Sequence, residues 1–296
     1  MKYIDFLKSK IDIAPETGFK IDRSEINPIC KEHQKDAIMW AVRGGRRGLF
    51  ESCGLGKTIQ QLEFCRLVLK HKGGKALIVV YLGVRQEFTN DAINLLGMER
   101  PEYVRNMDEV RNAKTDIMLT NYERVRDGDI DPKYFTVTAL DEASCLRSYG
   151  SKTYQTFLDK FKRVPYKLVS TATPSPNRFK ELIHYAGYLE IMDTGQALTR
   201  FFKRDSTKAN NLTLYPGKED EFWLWVSSWG LFIDKPSDLG YSDQGYSLPD
   251  IEVNWRMIKR PELNEGDDGQ LSFIQTQPMS LKKCAKEKRD TITSRV

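Results

Sequence analysis

Lys57 and Thr58 stand directly behind a glycine turn, in the run Gly54-Leu55-Gly56-Lys57-Thr58. The apolar run Gly48-Leu49-Phe50 precedes them, and the helical pattern Ile59-Gln60-Gln61-Leu62-Glu63-Phe64 follows. A strand, a glycine turn and Lys-Thr at a helix start is an arrangement that cradles a triphosphate. Backbone N–H groups and the positive helix end face the phosphates. The lysine reaches the β- and γ-phosphates, and the threonine hydroxyl ligates Mg²⁺. ATP is therefore the first candidate ligand, with Gly54, Leu55, Gly56, Lys57 and Thr58 around it. The full P-loop pattern has a glycine where Glu51 stands, so the rest of the chain must add to this motif.

Two carboxylates lie downstream. Tyr134-Phe135-Thr136-Val137-Thr138-Ala139-Leu140 reads as a buried strand ending in Asp141-Glu142-Ala143-Ser144. A carboxylate at such a strand end can hold the water shell of Mg²⁺, which suits Asp141. A second can orient or deprotonate the attacking water, which suits Glu142. Taken alone, the pair reads as a solvated acidic turn. Tyr166-Lys167-Leu168-Val169-Ser170 is a further short strand, ending in Thr171-Ala172-Thr173-Pro174. Its two hydroxyls could link the carboxylates to a moving element, or the segment could be an ordinary strand exit with Pro174 as breaker. Upstream, Gln34 carries an amide of the kind that pairs with the N6 and N7 edge of adenine. By itself it reads as a surface helix residue, and its value comes only from its order among the other motifs.

The elements that must position these groups follow from the pattern. Strand candidates Ala76–Tyr81, Asp116–Leu119, Val137–Leu140 and Lys167–Ser170 alternate with helical segments between residues 28 and 193. Alternating β and α elements predict an α/β fold with a mostly parallel sheet and helices on both faces. Ligands in such sheets gather at the carboxyl ends of strands. Beyond residue 200 no second strand series is evident. Phe222, Trp225, Val226, Trp229 and Ile233 share one helix face by spacing, predicting a core helix rather than a stacking platform for bases. Phe201-Phe202-Lys203-Arg204-Asp205 is a candidate DNA-facing insertion or a charged edge. Residues 262–280 read as a linker and Leu281–Val296 as a basic helix.

The order of Gln34, Gly54–Thr58, Leu82-Gly83-Val84-Arg85-Gln86, Thr120-Asn121-Tyr122-Glu123, Asp141–Ser144 and Thr171–Pro174 resembles the first RecA-like lobe of superfamily-two helicases. The resemblance is to the Swi/Snf-like branch, in its phage and bacterial form. That branch places acidic residues before Gly-Leu-Gly-Lys-Thr, so Glu51 fits it. The stretches Gly44–Phe50 and Lys235–Tyr241 add to the similarity, which covers residues 1–255. Proline is usual where Tyr81 stands, and histidine is commoner where Ser144 stands.

The resemblance implies roles by position. Gln34 reads adenine; Gly54, Gly56, Lys57 and Thr58 bind phosphates and Mg²⁺; Asp141 and Glu142 are the metal and water residues. Thr171 and Thr173 couple hydrolysis to lobe movement. Leu82, Gly83, Arg85, Gln86, Thr120, Asn121 and Tyr122 lie along a nucleic-acid track, with duplex DNA as the partner. It also implies an N-terminal extension at 1–27, a RecA-like lobe at 28–193, a family-specific extension at 194–261, and a linker with basic helix at 262–296. Such motors work with a second lobe that supplies an arginine finger. No Gln-x-x-Gly-Arg-x-x-Arg run occurs here, so weak ATP binding and slow turnover are expected of this chain by itself. A non-catalytic single-lobe module is the alternative, and a small-molecule P-loop kinase a more distant one.

Composition sets outer bounds. The 296 residues are 40% hydrophobic and 29% charged, which fits a globular chain with a sizeable core. The net charge of +5 permits nucleic-acid binding without arguing for it. No run of eighteen apolar residues exists, and Met1–Lys8 lacks the apolar core of a signal peptide. Five cysteines (Cys30, Cys53, Cys65, Cys145 and Cys284) form no Cys-x-x-Cys pair. With three histidines, a zinc site is not expected, and reduced thiols in a cytoplasm are the simplest reading. Cys53 and Cys145 flank the nucleotide motifs and are expected to be packed inside.

Overall fold

A computed structural model describes residues 13–176, 178–204 and 212–246 of the chain. The described residues all belong to one compact unit. In chain order they form α1 (Glu32–Gly44), β1 (Arg46–Glu51), α2 (Lys57–Lys72), β2 (Ala76–Val79), α3 (Arg85–Asn90), β3 (Glu102–Tyr103), α4 (Met107–Asn112), β4 (Ile117–Thr120), α5 (Tyr122–Asp127) and β5 (Val137–Leu140). There follow α6 (Lys152–Lys160), β6 (Tyr166–Ser170), α7 (Lys180–Tyr188), α8 (Thr194–Phe201), β7 (Phe202–Arg204), β8 (Leu212–Leu214), α9 (Glu219–Ser227) and β9 (Gly230–Ile233).

Seven strands form one sheet in the order β3-β4-β2-β5-β6-β1-β9, and every pairing in it is parallel. This is the mostly parallel α/β sheet expected from the alternation of elements, in the RecA-like form that the resemblance implies. Strands β5, β6 and β1 are immediate neighbours, so the three motif-bearing strand ends lie side by side.

Both sheet faces are buried, as parallel sheets require. The two-residue period of the strands divides the apolar residues between two clusters. Phe50, Leu77, Val79, Met118, Leu140 and Val169 join one, together with side chains of α6 to α9. Leu49, Ile78, Leu119, Ala139 and Leu168 join the other, with side chains of α1 and α2.

Local signals set the helix ends. Gly45 (φ 73°) ends α1, and Gly73 (φ 67°) ends α2 after the basic turn Lys70-His71-Lys72, which complements the negative helix end. Ser151 caps α6, accepting from the Tyr154 N–H at 3.1 Å. Tyr81 has φ −72°, an angle that proline also adopts, so the chain path after β2 suits either residue.

The aromatic segment after residue 218 departs from its predicted form. Helix α9 stops at Ser227, and Gly230–Ile233 is a strand paired with β1, Glu51 opposite Ile233. A Cβ on Gly230 would lie 2.9 Å from the Phe50 ring, so the glycine allows the close approach that lets β9 form. Phe222, Trp225, Val226, Trp229 and Ile233 are all buried, so the core assignment holds although Ile233 lies on a strand. Strands also occur beyond residue 200, namely β9 in the main sheet and the antiparallel pair β7–β8. In the candidate DNA-facing insertion, Phe201 and Phe202 are buried and Lys203 is exposed. The proposed linker and basic helix, with Cys284, lie outside the described residues, as does Asp205.

Cys53 is exposed, contrary to the packed position expected for it; its loop bulges past the end of β1. Cys145 is half-buried, and burial pushes its thiol up to about 12. No helix among the described residues is long and apolar enough to cross a membrane.

Candidate functional site

The loop between β1 and α2 is built on two left-handed glycines, Gly54 (φ 87°) and Gly56 (φ 84°). A Cβ on Gly56 would also meet Gln34 Nε2 at 2.3 Å, so this position requires glycine twice over. Gly56 begins α2 with no side-chain cap and no acidic residue in the first turn. The first-turn N–H groups of a helix have no intrahelical partner, and here no side chain competes for them. Such an end receives an anion.

Lys57 reaches back across the loop. Its Nζ donates to the Glu51 carbonyl at 2.8 Å and to the Ser52 carbonyl at 3.1 Å. Gln34 braces the loop from α1, donating from Nε2 to the Leu55 carbonyl at 2.9 Å. Its Oε1 accepts from the Lys31 N–H at 2.9 Å. The residue expected to read adenine is thus beside the loop, with both ends of its amide engaged inside the protein in place of a free edge.

Asp141 follows β5 and is 8% exposed. Gln61 Nε2 donates to its Oδ1 at 2.7 Å, and the Tyr122 hydroxyl donates to its backbone carbonyl at 2.6 Å. Burial raises its carboxyl to about 6, although the Gln61 bond and Lys57 favour the charged form. Glu142 adopts a left-handed backbone (φ 47°), which non-glycine residues seldom take and which recurs at functional sites. Its Oε2 accepts from the Thr171 hydroxyl at 3.0 Å. The Thr171 Oγ1 accepts in turn from the Thr173 N–H at 3.2 Å. Arg147 closes the network, donating to the carbonyls of Ser144 and Thr173 at 3.0 and 3.3 Å. Glu142 and the two threonines are therefore linked through hydrogen bonds.

A second buried carboxyl lies beneath the loop. Glu51 is fully buried and accepts from Gln60 Nε2 at 2.6 Å, while its Oε1 has no protein partner. Burial raises it to about 7. Its folded value exceeds the ordinary 4.5, so the native state binds more protons than the unfolded chain between these values. Stability from this group is complete below the unfolded value and is lost as pH rises through about 7. Glu51→Gln is therefore expected to raise stability at pH 8 by up to roughly 3 kcal/mol, with the gain vanishing near pH 4. Chemical denaturation of both proteins at the two pH values measures this. An equal gain at both would contradict it.

The proposed nucleic-acid residues divide into two sets. Leu82 and Gly83 are exposed in the turn after β2, and Arg85 and Gln86 are exposed at the start of α3, where Arg85 lies 4.8 Å over the Tyr103 ring. Thr120, Asn121 and Tyr122 are buried instead. Thr120 donates to the Val104 carbonyl at 2.8 Å, Asn121 caps α5, and Tyr122 stacks on Phe157. Their side chains serve the fold and the Asp141 turn rather than a surface.

The residues present fit Mg²⁺. The ion takes oxygen ligands, keeps several waters, and is held by one or two protein groups plus substrate phosphates. Thr58 lies one turn before Gln61 on α2, and Gln61 touches Asp141. That supplies a hydroxyl and a carboxylate beside the phosphate loop. Among the described residues no group of three or more His, Cys, Asp or Glu could form an all-protein metal cage.

Residues 33–210 match the family profile described as SNF2-related domain. The chain belongs to the SNF2-related domain family. The fold of this SNF2-related chain is similar to the SWI2/SNF2 ATPase core of Sulfolobus solfataricus, solved in complex with dsDNA. The TM-score is 0.53 at 17% identity, over 72% of this chain and 46% of that one. It is also similar to the UvsW helicase of bacteriophage T4 (TM-score 0.45, 16% identity, 64% of this chain and 65% of that one). The Pyrococcus furiosus Hef helicase domain gives 0.45 at 16%, over 55% and 36%. The SNF2-related chain thus spans less than half of the Sulfolobus core. No curated protein matches it.

Gln60, Gln61, Tyr122 and Arg147 shape this site without having been assigned to it from the sequence. A weak signal existed for the glutamines. Consecutive amides directly after Lys57-Thr58-Ile59, on a helix rich in apolar residues, need buried partners.

Proposed function

We propose that this chain is the ATP-binding lobe of a DNA-dependent ATPase, a Swi/Snf-like helicase or translocase of phage or bacterial type, working in a cytoplasm. The observation that carries the reading is the convergence of Lys57, Asp141, Glu142 and Thr171 at one end of adjacent strands β1, β5 and β6. Family membership agrees with it.

Each residue takes a role its surroundings permit. The loop amides and the α2 N-terminus bind the β- and γ-phosphates. Lys57 exchanges its two carbonyl partners for phosphate oxygens. Thr58 and Asp141 hold Mg²⁺, which when bound neutralises charge on the transferring phosphoryl group. Glu142 orients the attacking water and takes its proton. Thr171, bonded to Glu142, and Thr173, whose N–H donates to Thr171, pass the change at this carboxylate to the segment after β6. Leu82, Gly83, Arg85 and Gln86 contact the sugar-phosphate backbone of duplex DNA. A second RecA-like lobe, in cis or trans, supplies an arginine finger and closes over ATP.

Phosphate release with and without duplex DNA tests the reading. Slow turnover raised by DNA is expected, with DNA affinity falling steeply between about 50 and 200 mM salt. Turnover indifferent to DNA would contradict it. Lys57-dependent ATP binding with no turnover under any condition would favour a non-catalytic binding module instead.

A further inference from the structure

Gln60 and Gln61 sit side by side on α2, and each gives its amide N–H to a different buried carboxyl. Gln61 is fully buried and Asp141 nearly so. Because Asp141 can only accept when ionised, the orientation of the Gln61 amide is fixed by chemistry: nitrogen toward the carboxylate, oxygen away. The bond engages Oδ1 at 2.7 Å, and no described residue donates to Oδ2. On the other side of the amide, Gln61 Oε1 is buried and has no protein partner. Gln61 Oε1 is one of several buried polar atoms here without a protein partner, and the one carried by the amide that holds Asp141; such an acceptor calls for a donor from outside the chain. Thr58 lies three residues earlier on the same helix, a spacing that stacks two side chains on one face.

We propose that Gln61 is a positioning residue for the metal site: it clamps one oxygen of Asp141, leaves the other for Mg²⁺, and offers its carbonyl to a metal-bound water. The inference rests on the ATP-site reading above. A ligating carboxylate free to rotate must be ordered each time the ion binds. One held by a buried amide is already oriented, and partners of this kind are worth about 10- to 100-fold in metal affinity. The Tyr122 bond to the Asp141 carbonyl fixes the backbone of the same residue, so side chain and main chain are each held once. An Mg²⁺-bound water is a strong donor and matches the acceptor oxygen of the Gln61 amide, which has no protein partner.

Binding of a fluorescent ATP analogue to the full chain tests this, titrated with Mg²⁺ and repeated in EDTA. Gln61→Met keeps the side-chain length and removes both hydrogen bonds. Gln61→Asn keeps the amide and shortens its reach by one methylene, and serves if the first variant fails to fold. The expected result is an Mg²⁺ midpoint raised at least tenfold in the variant. Affinity in EDTA should stay within about twofold of the parent, with an unchanged far-ultraviolet spectrum. A residue that only fills space would move both affinities together or neither. An unchanged midpoint beside intact, Lys57-dependent nucleotide binding would overturn the role of Gln61 and leave the ATP site standing. Absence of Lys57-dependent binding in the parent chain would overturn both.

Discussion

Glu142→Gln is expected to lower phosphate release by about 10²- to 10⁴-fold, the usual worth of a general base, while Mg²⁺·ATP affinity stays within about threefold. The substitution keeps the shape of the side chain. It also keeps an oxygen that can accept from the Thr171 hydroxyl, now 3.0 Å from Oε2. What it removes is the negative charge that, in the proposed role, orients and deprotonates water. The left-handed backbone at Glu142 is set by the turn after β5 and is unaffected by the change of side chain. Loss of turnover with retained binding is therefore a chemical effect and not a folding one. Single-turnover phosphate release beside equilibrium nucleotide binding separates the two. Equal loss of both would place Glu142 in binding and would remove the basis for calling it the water residue.

The part of the fold that carries the site was legible because its signals are local. Val137–Leu140 is a short run of apolar and β-branched residues closed by two acids, and the structure forms a strand over those residues. The glycine turn before Lys57 needs left-handed angles that two glycines supply. The segment after residue 218 was not legible in the same way. Phe222, Trp225, Val226, Trp229 and Ile233 hold a helical phase across a helix-to-strand break. Only the open edge of β1, a tertiary feature, decides that Gly230–Ile233 extends. The same strand covers Glu51, whose burial and raised carboxyl no local pattern announces.

Within the site, order along the chain located Lys57, Asp141, Glu142 and Thr171, but it could not tell a surface residue from a buried one. Tyr122 follows a strand end as Leu82 does. Its ring nevertheless turns inward against Phe157 and its hydroxyl holds the Asp141 carbonyl. Gln61 looks from sequence like any polar helix position. Its meaning comes from a strand eighty residues away.

Lys57→Ala is expected to weaken Mg²⁺·ATP binding on the order of 100-fold. The ammonium group is a point charge at the mouth of the loop, and hydrogen bonds from a charged donor are worth roughly 1.5–3 kcal/mol each. Its two present bonds run to the carbonyls of Glu51 and Ser52, both neutral acceptors. Exchanging them for phosphate oxygens replaces neutral partners with anionic ones, so the exchange is favourable only when nucleotide is present. The variant forfeits that gain, while the loop itself stays braced by Gln34 and Gln60 on the Leu55 carbonyl. Its stability without nucleotide should fall modestly, because the two carbonyl bonds of Lys57 go with the side chain.

Equilibrium titration of Mg²⁺·ATP against the parent chain and Lys57→Ala is the most direct test that this sheet end is a nucleotide site. The account predicts saturable binding by the parent and a thermal upshift that grows with nucleotide concentration, as linkage requires. Both should be lost or strongly weakened in the variant, which still unfolds in one cooperative transition without nucleotide. Equal binding by the two proteins, or none by the parent at millimolar nucleotide, would contradict it.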